Sequence, residues 1–154
     1  MSPRRIVILA LAIFAVTATV AWAETNKYRG TTEGLFFSST EREYRKATIK
    51  FHVSGNRVID PRWEIRVECA DDSHRSFVIK THGFLTINED GEFAGRVATP
   101  GGTGFDRISG RIRGERASGA VRRSVRLNSA GQETAGGQSC NSGRVEWKAH
   151  EVGE

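Results

Sequence analysis

The amino-acid sequence predicts an all-β fold: about eight antiparallel strands in one sandwich or closed barrel, held by one disulfide. Three observations carry this. Runs of alternating apolar and polar residues recur along the chain, each ended by Gly, Asn, Asp or Ser, and no helical spacing is sustained after Glu24. The outward positions of those runs carry Arg, Lys and Glu, which excludes a transmembrane barrel with a lipid-facing exterior. The two cysteines of the chain, Cys69 and Cys140, both follow a segment that reads as an export signal.

That segment is residues 1–23. Arg4 and Arg5 form a positive start, residues 6–20 an apolar run, and Ala21, Trp22 and Ala23 a small-x-small cleavage pattern. Cleavage would leave one β domain, residues 24–154, with no membrane span and a secreted or periplasmic address. Two of the 23 Lys and Arg residues and none of the 18 acids lie in the leader, so the remaining balance is 21 against 18, or +3. The product is mildly basic. In an oxidising compartment Cys69 and Cys140 are expected to pair, and closing so long a loop adds about 4 kcal/mol by restricting the unfolded chain.

The strands follow in order. A short first strand is expected over residues 27–32. Ile49, Phe51 and Val53 alternate with Lys50 and His52 before a turn at Ser54, Gly55 and Asn56. Trp63, Ile65, Val67 and Cys69 share one face of a long strand whose entrance is marked by Pro61, because proline inside a strand deletes a ladder donor. Asp71, Asp72 and His74 form a turn explained by local backbone hydrogen bonds rather than by a cation. Phe77, Ile79 and Thr81 share the next inner face. Thr86 and Ile87, a tight turn at Glu89, Asp90 and Gly91, and then Phe93, Gly95 and Val97 lead to a loop over residues 99–104.

Ile108, Gly110 and Ile112 open a hairpin whose second arm runs through Gly119 and Val121. Strict alternation would send Arg123 inward, so either a carboxylate meets it or this arm ends near Arg122, and the second is expected because fraying costs less than a buried pair. Residues 128–138 are irregular. In the last strand Val145, Trp147 and Ala149 share a face, yet Cys140 has the opposite parity; a bulge near Ser142 and Gly143 is required to turn its sulfur inward. Trp63 and Trp147 are expected core anchors.

The run from Asp90 to Gly119 (DGEFAG, ISGRIRG, ASG), with Cys140 and then Ser142 to Ala149, resembles a group of small exported bacterial proteins sharing "dG.F.g", "i.G....g.a.G" and "C.sG...W.A". These motifs are structural punctuation. The resemblance implies an exported bacterial β domain and no activity.

Candidate chemistry is sparse. Arg107, Arg111 and Arg113 lie outward on one arm of the hairpin, and Arg122 and Arg126 on the other. With a turn across Glu115 and Arg116, Arg111 would face Ala120 and Arg122 would face Ser109, so that cations are staggered. The five arginines are the candidate anion-binding set, for a polyanion or an acidic envelope glycan; the opposing expectation is that Glu64, Glu68 and neighbouring acids cover them, or that they keep an edge strand soluble. Nucleic acid is not expected, since no aromatic platform interleaves with the basic set.

His52, His74, His82 and His150 are scattered without metal-ligand spacing, and no Gly-x-Ser-x-Gly elbow occurs. No cofactor, metal or catalytic residue is assigned. The expectation is a non-catalytic module with a binding or structural role at the bacterial envelope. The alternative is a small exported hydrolase whose carboxylates and histidines meet only on folding.

Overall fold

The structure of the protein is a computed structural model that describes residues 24–153. The expected leader, residues 1–23, lies outside the described residues. Ten strands follow in chain order: β1 (Thr25–Ser38), β2 (Glu43–Ser54), β3 (Arg57–Cys69), β4 (His74–Lys80), β5 (Phe84–Thr86), β6 (Glu92–Ala98), β7 (Phe105–Arg113), β8 (Arg116–Leu127), β9 (Gln138–Asn141) and β10 (Val145–Val152). A 3-10 turn, Pro100–Gly102, lies in the loop before β7. Ten strands replace the expected eight because the short β5 and β9 are separate elements. The first strand is also longer than expected, since its alternation continues past Thr32 through a register shift between Thr31 and Leu35.

All pairings are antiparallel. Hydrogen bonding closes a six-stranded barrel through β1, β2, β3, β9, β8 and β10, and the remaining strands lie outside that ring. There β4 and β5 flank the outer edge of β3, while β7 and then β6 extend from β8. These added strands continue the same apolar face. Ile79 of β4, Phe93 of β6 and Ile108 of β7 join Trp63, Phe51, Val121 and Trp147 in one buried cluster.

Trp147 shows how sequence makes room for that cluster. Gly110 of β7 lies directly opposite Gly119 of β8, and Gly119 lies opposite Trp147 of β10. A Cβ on Gly110 would stand 2.5 Å from the indole, and one on Gly119 would stand 2.0 Å from the Ser109 carbonyl oxygen and 2.7 Å from the indole. Two adjacent residues without side chains therefore form the slot that the ring fills. Trp63 and Trp147 are each 1% exposed, as expected of core anchors.

A second, smaller cluster sits where β9 bridges β3 and β8: Val67, Cys69, Val125, Leu127 and Cys140. Cys69 and Cys140 are cross-strand partners joined by a disulfide of 2.01 Å. The required phase change occurs between β9 and β10, where Gly143 takes a positive φ of 66° and a break in the strand lets both Cys140 and Trp147 face inward.

Three local expectations are corrected. Pro61 does not begin β3 but lies inside it, beside Asp60 at φ 47° and opposite a register shift between Lys50 and His52. The missing donor thus falls where the ladder is already interrupted. The β7–β8 turn uses Gly114 and Glu115 rather than Glu115 and Arg116, because Gly114 alone tolerates the φ of 58° that the first central position adopts.

Arg123, third, does not fray. It is 3% exposed and bonds Asp106 at 2.7 Å and Glu133 on its other nitrogen, with its guanidinium 4.4 Å from the centre of the Phe77 ring. Two carboxylates from distant segments meet the charge that alternation drives inward, so the strand continues to Leu127.

Candidate anion-binding surface

Every inward residue of an antiparallel strand leaves its neighbours pointing outward. Where Ala117, Ala149, Ile49, Trp63 and Ile79 are buried, the flanking positions form a row on the exterior. Reading across hydrogen-bonded partners, that row is Arg113, Arg116, His150, Arg29, Lys50, Arg62 and Lys80. Seven basic side chains occupy seven successive strands, β7, β8, β10, β1, β2, β3 and β4. Six steps between strands give a belt about 29 Å long.

Among the described residues, none of the seven forms an ion pair with a carboxylate. Like charges directly opposite on a sheet destabilise it. The buried face beneath holds the row together against that repulsion. At one end of the belt is a groove of about 950 Å³ walled by Arg113, Arg116, Lys148 and His150. At the other, a groove of about 340 Å³ is walled by Arg29, Lys50, Arg62 and Lys80, with Asp60 supplying a carboxylate.

The five arginines expected from sequence do not share one stripe. Arg113 lies in the belt. Arg107 and Arg122 are direct cross-strand partners, not staggered, because the turn falls one residue earlier than expected and shifts the register by two. Arg96 of β6 lies opposite Arg107 and extends this pair to a row of three. Arg111 faces Ser118 and is ion-paired with Glu92. Arg126 stands apart, with its guanidinium donating to the Ala135 carbonyl at 3.2 Å.

Glu64 does not cover the hairpin arginines. It is buried and accepts bonds from both terminal nitrogens of Arg45, at 2.6 and 2.8 Å, and from the amide and hydroxyl of Thr48, each at 2.9 Å. Burial pushes its carboxyl up, but the bonds from Arg45 and Thr48 outweigh burial and hold it below its ordinary value. Asp106 moves the other way: burial raises it, the Arg123 charge opposes, and the nearby Glu133 charge adds to the rise.

Asp71 accepts from the amide and hydroxyl of Ser73, at 3.0 and 2.5 Å, and these bonds, with one from Gln138, bring it down to about 2. That is the local turn chemistry expected there. Among the described residues no cluster of three or more His, Cys, Asp or Glu side chains could hold a metal, and no helix is long and apolar enough to cross a membrane.

The belt residues missed by sequence reading are Arg29, Lys50, Arg62, Lys80, Arg116 and His150. All but Arg116, which the sequence reading placed in the turn, are legible singly as outward positions. Their alignment depends on register between strands up to 121 residues apart in the chain, Arg29 against His150, which no local pattern encodes. A scan against protein-family models and a search of curated proteins return no match to this chain.

Proposed function

We propose that this protein is an exported, non-catalytic module that binds anionic polymers of the bacterial envelope, such as an acidic glycan, across its outer basic belt. The observation that carries this reading is the row of six lysines and arginines with His150 in cross-strand register, none of them paired with a carboxylate among the described residues. Such a row favours a long anion over a compact one, because evenly spaced charges along a polymer can meet evenly spaced strands. Apart from the hairpin pair Arg113 and Arg116, four of the seven are lysines or arginines on successive strands, Arg29, Lys50 and Arg62 in the closed ring and Lys80 on its β4 flank. Guanidinium groups add forked hydrogen bonds to sulfate, phosphate or carboxylate. The disulfide supports an oxidising destination.

A hydrolase would need carboxylates free to act on substrate. Among the described residues the carboxylates that converge do so on arginines, Asp106 and Glu133 on Arg123 and Glu41 and Glu64 on Arg45. Binding to immobilised heparin as a model polyanion tests the proposal. Wild-type affinity is expected to fall steeply with added salt as counterions compete, and the combined variant Arg29→Glu, Lys50→Glu, Arg62→Glu is expected to lose retention at low salt. Unchanged retention by a folded triple variant would refute the belt as the binding surface.

A further inference from the structure

We infer that a second, separate pocket on the outer face, walled by Arg96, Arg107 and Arg122, receives a single tetrahedral oxyanion, a phosphate or sulfate group. The pocket and the belt share no residue. The three arginines are successive cross-strand partners on β6, β7 and β8. All are exposed, and among the described residues none forms an ion pair with a carboxylate.

The neighbouring row on the same face is Ala94, Ser109 and Ala120, again direct partners. Small side chains there leave a floor beside the cations, and the resulting groove has a volume of about 560 Å³ with Arg144 at its rim. The hydroxyl of Ser109 is the polar group of that floor. Arg96 and Arg107 stand over one aromatic ring, Phe105, at 4.4 and 5.0 Å from its centre. That ring lies two residues from Arg107 on the side away from Ser109; it holds the two guanidinium groups in place along the edge of the groove and lowers the entropy lost when they engage a ligand.

None of the nearby acids pairs with Arg96, Arg107 or Arg122. Glu92 pairs with Arg111 and Asp106 is buried against Arg123; Glu146, opposite the floor residue Ala120, is the one acid at the groove's edge among those three and approaches the rim residue Arg144 at 3.8 Å. Three adjacent like charges cost stability in the empty state. An oxyanion with four oxygens, bound between the forked donors and the Ser109 hydroxyl, turns that repulsion into attraction. The belt suits a chain of charges, whereas this pocket suits one charged group on free anion or on a sugar ester.

Thermal unfolding and calorimetric titration with inorganic sulfate, inorganic phosphate and glucose 6-phosphate, each at low millimolar concentration against chloride of equal ionic strength, test the inference. Sulfate or phosphate is expected to raise the wild-type Tm above the chloride control. Arg107→Gln and Arg122→Gln should each weaken binding about 10-fold or more. Without anion the same variants should match or exceed the wild-type Tm, because each removes a repelling neighbour. The belt triple variant should keep the sulfate response.

Equal responses in wild type and both Gln variants would overturn the pocket while leaving the belt untouched. Loss of the response in the belt variant would overturn its independence. Binding of the inorganic ions but not of the ester would identify a site for free anion; tighter binding of the ester would identify the attached group as the ligand.

Discussion

A single buried arginine shows how much a side chain can demand of the chain around it. Arg123 is driven inward by the parity of Val121 and Val125, and folding brings Asp106 from β7 and Glu133 from the loop after β8 to meet it. Sequence gave its direction but not its partners, since neither carboxylate is marked by local spacing. Arg123→Met would strand two acids, one fully buried. It is expected to lower stability by about 3–5 kcal/mol in urea denaturation, the usual cost of removing one partner of a buried pair.

The glycines beneath Trp147 set a second demand. Gly119→Ala is expected to destabilise by about 1–3 kcal/mol through overpacking, read in the same way, because the new methyl would meet both backbone and indole. Glu64 sets a third, in pH. Its folded-state value lies below the ordinary 4.5, so its contribution is complete above that value and is lost as pH falls through the lower folded one. The urea midpoint of wild type should therefore drop more steeply than that of Glu64→Gln as pH falls below 4.5, and parallel profiles would contradict the Arg45 and Thr48 contacts.

At the level of elements, alternation was a sound guide to which face each strand buries. The break at Ser142 to Arg144 was legible because Cys140 and Trp147 have opposite parity yet both needed burial, and the structure resolves that conflict where the glycine lies. Hairpin register was not legible to the same degree. Gly114 and Arg116 both border a polar tip, and moving the turn by one residue moves each pairing by two, which put Arg107 opposite Arg122 instead of Ser109 opposite Arg122. The disulfide ties β3 to β9 at the narrow bridge of the ring, its ends 71 positions apart in the chain. The double variant Cys69→Ala, Cys140→Ala is expected to lose about 4 kcal/mol of stability, and a loss near zero would show that the unfolded chain is little restrained by the link.

On the scale of the whole molecule, an all-β body with one disulfide was readable from composition and period, and a closed barrel was one of the two architectures expected, but the choice of barrel over sandwich was not readable. Closure requires β1 to lie beside β10 and β10 beside β8, contacts between opposite ends of the chain that no periodicity reports. The belt is a property of that closed form. Its unpaired charges repel, so monovalent salt should raise the Tm of the ligand-free protein by screening them, the opposite of its effect on polyanion affinity. A salt-independent Tm would show that the row costs the fold little.

The meeting of first and last strands has one more consequence. Arg29 and His150 become neighbours only when the ends of the chain have found each other, so a growing or partly folded polypeptide carries the individual cations without their alignment. Assembly of such distant partners is slow compared with local turns. The multivalent binding proposed for the belt therefore belongs to the finished molecule, and the joining of β10 to β1 is the step that would arm the exterior.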